Sequence, residues 1–219
     1  MKRFLGKFFS ILLQLTLMVV LPFFVLIRGS VWLYVSYEWH YGLGLLAMFG
    51  VVFFLLLIYM VMLYDWIIGK KASRTTIKIK AGIVLLLLGL FGGYTLFNLS
   101  GKHAKTEEVQ KEYNALHPLL RISVGTIVLL DEGLLITDMS RAKEDYKKMG
   151  LKTLKNSLHY PQGDGWVHAM DLRTRNRTEF RNKLLQAYFW MMGFNTLRHG
   201  GTADHLHISL TYPKLPHAI

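Results

Sequence analysis

WHYGLGLLAMFGVVFFLLLIYMVMLY, residues 39–64, runs without a single Asp, Glu, Lys or Arg. A helix rises about 1.5 Å per residue, so such a run is long enough to cross the roughly 30 Å hydrocarbon core of a bilayer. Two more charge-free runs flank it, Phe8 to Ile27 and Ala81 to Ser100. Three N-terminal membrane-spanning helices are therefore predicted, at about residues 8–28, 42–66 and 81–99. The first does not read as a cleaved secretory signal, because it passes into Arg28-Gly29-Ser30 without a small-residue cleavage site.

Basic residues in short loops resist translocation and so report orientation. Lys2, Arg3 and Lys7 precede the first run, and Lys70, Lys71, Arg74, Lys78 and Lys80 separate the second from the third, while the stretch from Arg28 to Glu38 carries one Arg. The N-terminus is thus expected in the cytoplasm and everything after Ser100 outside it. Trp32, Tyr34, Tyr37, Trp39 and Tyr41 fall where the outer interface would lie, and anchoring in the head-group layer is their expected role. Of the net charge of +12, +7 lies in residues 1–100, where it serves topology and calls for no nucleic-acid partner. The remaining +5 favours approach to an anionic surface or wall polymer. Gln14 and Thr16 are among the few polar residues in the spans, so anchorage is expected rather than an ion pathway. Gly42, Gly44 and Gly50 would permit close helix packing and leave room for a homo-oligomer or a membrane partner.

After the spans the pattern changes. Residues 101–115 are polar, suiting a linker; 116–219 read as a small α+β domain with a mostly antiparallel sheet, its helices on one face. An amphipathic helix is predicted over Leu116 to Leu130, a strand over Gly133 to Thr137, a helix over Ser140 to Met149, and a strand over Ala169 to Arg173. A further helix is capped by Thr178 and stopped by Gly193, with Phe180, Leu184, Ala187, Tyr188 and Met191 as its core face. The last strand begins at His205. Alternation along it turns Leu206 and Ile208 to the core, and His205 and His207 together to the other side.

The chain has no cysteine, so a transition metal would be held by imidazole and carboxylate. Three segments offer such groups: Ser157-Leu158-His159-Tyr160, Ala169-Met170-Asp171-Leu172-Arg173 and Asp204-His205-Leu206-His207. Together they resemble the zinc D-alanyl-D-alanine carboxypeptidases and related peptidoglycan endopeptidases, which have a Ser-x-His segment, an Ala-x-Asp segment on a strand and a terminal His-x-His. That resemblance, confined to about Leu134 to Leu210, implies a hedgehog-like fold with zinc held by His159, Asp171 and His207. His205 would assist proton transfer beside the metal. Leu134 to Arg141 is similar to the family's strand-plus-turn ending in Arg, which implies that Arg141 holds a substrate carboxylate or a developing oxyanion. Peptidoglycan peptide stems are the substrate so implied, met at the outer face of a bacterial cytoplasmic membrane. In the family the first His and the Asp are normally seven positions apart; here they are twelve apart, with Pro161-Gln162-Gly163-Asp164-Gly165 between. An insertion there accounts for the difference, and Asp164 or His168 stays open as a rival ligand. His168 and Asp171 would face opposite sides of one strand. His199 is expected in the loop entering the last strand, with an approach to the cleft as the alternative, and Asp204 is placed to orient an imidazole. His103, His117 and His217 have no neighbours in sequence that suggest a site. No Glu general base can be picked out, so a non-catalytic, zinc-stabilised binding or structural module is the alternative to an enzyme.

Overall fold

The computed structural model describes residues 2–69, 71–142, 150, 156–201 and 204–215. Three helices, α1 (Lys2–Tyr37), α2 (Tyr41–Ile68) and α3 (Arg74–Phe97), are each long and apolar enough to cross a membrane. Behind them come α4 (Glu107–Lys111), α5 (Pro118–Val128), β1 (Ile136–Asp138), β2 (Ala169–Arg173), α6 (Glu179–Met192), β3 (Asn195–His199) and β4 (His205–Ser209). The four strands form one sheet in the order β1-β2-β4-β3, antiparallel throughout. This is a three-span membrane protein carrying a small α+β domain.

α1 does not stop at Arg28. It continues to Tyr37, so the connection to α2 shrinks to Glu38, Trp39 and His40. Gly29 and Ser30 read as a turn, yet the Ser30 hydroxyl donates to the Leu26 carbonyl and so stays within the helix. The extra turns give α1 a face that packs on the domain: Leu26, Ile27 and Val31 are buried in the same hydrophobic cluster as α5, α6 and the sheet.

α5 is the element around which the two halves join. His117 caps it through Nδ1, Pro118 occupies its first turn, and both of its faces are buried, against α1, α2 and α3 as well as the sheet. α5 is thus enclosed on nearly every side, Arg121, Ser123 and Thr126 included, where a helix with one exposed polar face was expected. Leu119, Leu120 and Ile122 are fully enclosed, each worth about 2 kcal/mol of burial. α5 meets α3 closely enough that a Cβ on Gly125 would lie 2.8 Å from the Thr95 Cβ.

The segment 101–115 is not a linker that lifts the domain off the membrane. It folds into a 3-10 turn at Gly101–His103, α4, and a second 3-10 turn at Glu112–Ala115, and it buries Ala104, Val109 and Tyr113. The His103 ring donates through Nδ1 to the Leu134 carbonyl. Carbonyls at the end of α3 and just past it are taken up by the domain: Arg121 donates to Leu96 at 2.7 Å, the Tyr113 hydroxyl to Thr95 at 2.5 Å and, two residues beyond the helix, Gln110 to Leu99 at 2.7 Å. Domain and spans share one core and cannot hinge freely.

Thr178 caps α6 and Gly193 ends it as predicted, but the buried face is Asn182, Leu185, Phe189 and Met192. Phe180, Leu184 and Met191, expected inside, are exposed. Ser140 to Ala142 is irregular rather than helical, and the rest of the helix predicted to Met149 lies outside the described residues, as does His217. Gly44 packs against Ser30 and Leu33 of α1, so this small residue serves contact within the chain.

Candidate metal centre

β2 and β4 put the chemistry together by register. Asp171 is paired directly with His207, and Arg173 with His205. Alternation turns Met170, Leu172, Leu206 and Ile208 into the core shared with the helices, and it brings Asp171, His205 and His207 out on the opposite face. His159 reaches them from the loop before β2, which is held in place from both sides. The Arg141 N–H donates to the His159 carbonyl and the His168 N–H to the Leu158 carbonyl, each at 2.9 Å.

Three donor atoms converge. His159 Nε2 lies 3.3 Å from His207 Nδ1 and 3.5 Å from Asp171 Oδ1, and His207 Nδ1 lies 2.9 Å from Asp171 Oδ1. Tetrahedral bonds of about 2.0–2.1 Å separate donors by about 3.3–3.4 Å, so the triangle has the dimensions of three corners of a tetrahedral zinc site. The tautomers fit as well. His159 Nδ1 is 2.7 Å from the Met139 carbonyl, which only accepts, so Nδ1 carries the proton and Nε2 turns its lone pair to the centre. The buried His207 Nε2 has no hydrogen-bond partner among the described residues, which leaves it free to keep the proton when Nδ1 ligates.

Burial would raise the Asp171 pKa, but the adjoining imidazoles of His159 and His207 and the Arg141 charge outweigh it and hold the carboxyl well below its ordinary range. Arg141 reaches the site through the irregular turn after β1, where a register shift breaks the β1–β2 pairing. Its Nη2 donates to Asp171 Oδ2 at 2.5 Å and its Nε to Asp138 Oδ2 at 2.7 Å. It lies beside the cluster as expected, and these two bonds go to protein carboxylates and hold the Asp171 side chain in place. His205 Nε2 is 3.8 Å from Asp171 Oδ2, with about a quarter of its side chain exposed. Its ring stacks on His199 at 4.7 Å. His199 is thus on strand β3 opposite His205, not in a loop, and it adds a third imidazole to this face. Asp204 is engaged away from the centre, by Arg198 through two bonds of 2.8 Å and by Thr174.

The rival ligands form a second cluster. Asp164 lies 3.0 Å from His168 Nε2 and 4.0 Å from His117 Nε2. His117 was overlooked because its partners are far away in the chain. The group has the spacing of a metal site, but its tautomers oppose one. His117 Nδ1 accepts the Leu119 N–H, so its Nε2, the atom turned to Asp164, carries the proton and has no lone pair for a metal. Burial and the neighbouring His168 hold His117 well below its ordinary pKa, hence neutral. These groups act as a latch. The Tyr34 hydroxyl of α1 donates to Asp164 at 3.2 Å, the Tyr41 ring of α2 meets Trp166 edge-on at 5.9 Å, and the Arg121 guanidinium lies 5.0 Å from the Trp166 ring centroid. The residues between His159 and Asp171 therefore close into a turn that grips α1 and α2, and the two side chains stay in contact across it. Tyr34 and Tyr41 face the domain, leaving Trp32, Tyr37 and Trp39 exposed for the interface.

No protein family model matches the chain, and no curated protein or solved structure is detectably similar to it.

Proposed function

We propose that this protein is a membrane-anchored, zinc-dependent peptidase that hydrolyses peptide stems or cross-links of bacterial peptidoglycan. The observation that carries the reading is the triangle of His159 Nε2, Asp171 Oδ1 and His207 Nδ1, with edges near those of a tetrahedral site and the part-exposed His205 beside it. The resemblance to zinc carboxypeptidases assigns the same three residues. Zinc bound there would polarise a peptide carbonyl and bring the pKa of a water toward neutrality.

The chain's own residues then have separate tasks. His159 and His207 keep their outer protons and offer lone pairs. Arg141 fixes the Asp171 carboxylate so that Oδ1 points inward. His205 Nε2 is the atom placed to donate to an oxygen on which negative charge develops, and His199, stacked behind it, limits its rotation. The site faces away from the core that α5 and α6 share with the spans, which suits a polymer lying beyond the bilayer. The basic residues before α1 and between α2 and α3 support this reading, since they favour an N-terminus in the cytoplasm and the domain outside.

A second reading, a metal-stabilised module that binds without cleaving, draws on Asp204 being locked by Arg198 and on Arg141 being engaged by two carboxylates. Full-length protein in detergent, supplied with zinc and peptidoglycan, separates the two. New peptide ends from the parent and none from Asp171→Ala are expected; equal absence of cleavage refutes the peptidase.

A further inference from the structure

α6 has two faces, and the exposed one is apolar. Phe180, Leu184, Ala187 and Met191 recur at three- and four-residue spacing opposite the buried Leu185 and Phe189, with Trp190 alongside. Phe180 is 71% exposed and Trp190 70%. A soluble helix does not leave such a stripe to water.

The ends of α6 show what covers it. At its C-terminus Trp190 and Met191 share a recess with Phe24 and Arg28 of α1, at the place where the charge-free run of that span ends. The approach is close: a Cβ on Gly193 would fall 2.0 Å from Arg28 Nη1. At its N-terminus Arg181 pairs with Asp131, which directly follows the exposed Leu129 and Leu130 at the end of α5. α5 in turn is pressed onto the outer end of α3 through Gly125 and Thr95. One end of α6 is therefore tied to α1 and the other, through α5, to α3, so the helix lies across the foot of the domain where both spans emerge. At Phe24 its apolar stripe meets the exposed apolar surface of α1. Arg181 and Lys183, both exposed, flank it with positive charge.

We infer that α6 is an interfacial helix that lays Phe180, Leu184, Trp190 and Met191, together with Leu129 and Leu130, into the lipid leaflet beneath the domain. Lipid is its occupant, and the contact fixes the height and tilt of the sheet above the membrane independently of what the metal centre does.

The absence of cysteine allows a direct test. Phe180→Cys, Leu184→Cys and Met191→Cys, each in the full chain, are spin-labelled and placed in nanodiscs holding one copy and containing anionic lipid. Asn156→Cys, exposed in the loop that leads to His159, is the aqueous control. At the three α6 positions, collision with oxygen should exceed collision with a water-soluble nickel chelate several-fold, and the order should reverse at residue 156. Labels on α6 that meet the nickel chelate as readily as the control overturn the inference. So do labels shielded from both reagents, which would mean that protein covers the stripe, and so does spin–spin broadening in discs loaded with two copies, which would identify a second chain as the occupant.

Discussion

Gly125→Ala sets two opposing effects against each other at the seam between domain and spans. In an open helix the change gains up to about 1 kcal/mol of helix propensity. At Gly125 the new methyl carbon would lie 2.8 Å from the Thr95 Cβ and 3.0 Å from its Cα, well inside ordinary carbon contact of about 3.5–4.0 Å. The atoms in the way include backbone, so α5 and α3 must separate by several tenths of an ångström. Such overpacking costs about 1–3 kcal/mol, and the hydrogen bonds from Arg121 to Leu96 and from Tyr113 to Thr95 cross the same seam. Strain wins, and a net loss of about 1–2 kcal/mol is expected. For a chain of this size that lowers the melting temperature by several degrees, at about 2–4 °C per kcal/mol. Thermal unfolding of the full chain in micelles is the assay. Gly89→Ala, in α3 with open space at its Cβ, is the control, since it gains propensity without the clash. If Gly125→Ala melts with or above Gly89→Ala, the domain is not seated on α3 as described.

Gly193→Ala should also destabilise, by roughly 1 kcal/mol or more, because φ is +95° there and Val31 Cγ1 lies 3.0 Å from the added carbon; a melting curve unchanged from the parent would contradict the α1–α6 contact. Arg141→Lys removes the two-pronged hold on Asp171 and Asp138, so zinc affinity, measured by chelator competition, should fall roughly 10- to 100-fold; unchanged affinity would show that Arg141 does not orient the ligand. Asp164 has its pKa lowered to about 2: burial opposes this, but the hydrogen bond and charge of His168 prevail. Its folded pKa lies below its unfolded one, so it stabilises the fold above pH 3.8 and loses that effect as pH falls through about 2. About a quarter of the Asp164 side chain is exposed, and screening reduces the contribution to about 1 kcal/mol. Asp164→Asn should therefore melt lower than the parent at neutral pH, and the gap should close towards pH 2; a gap that persists in acid means that the latch is not electrostatic.

Much of this architecture could be read from residue order because it rests on local physics. Charge-free runs give spans, Thr178 and Gly193 bracket α6, and period-two alternation puts His205 and His207 on one side of β4. What failed depended on what each surface meets. The stripe from Phe180 to Met191 is apolar because of its surroundings outside the domain, and a pattern of three and four cannot say whether an apolar face meets core or lipid. α1 was cut short at Arg28-Gly29-Ser30 because a charge and a flexible pair look like an exit from the membrane, whereas Ser30 bonds back into its own helix. The wide spacing between His159 and Asp171 made Asp164 and His168 rivals for the metal. In three dimensions that insertion belongs to the seam with Tyr34, Tyr41 and Arg121. His117 joins it across a sequence distance that no motif spans.

Zinc content and X-ray absorption of the full chain, measured together on the parent and on single variants, test the central claim most directly. One zinc per chain, held by two imidazole nitrogens and carboxylate or water oxygens at about 2.0–2.2 Å, is expected in the parent and in Asp164→Asn, and it should be lost in His159→Ala, Asp171→Ala and His207→Ala. Zinc that survives Asp171→Ala but departs with Asp164→Asn would move the metal to the other cluster and contradict the account.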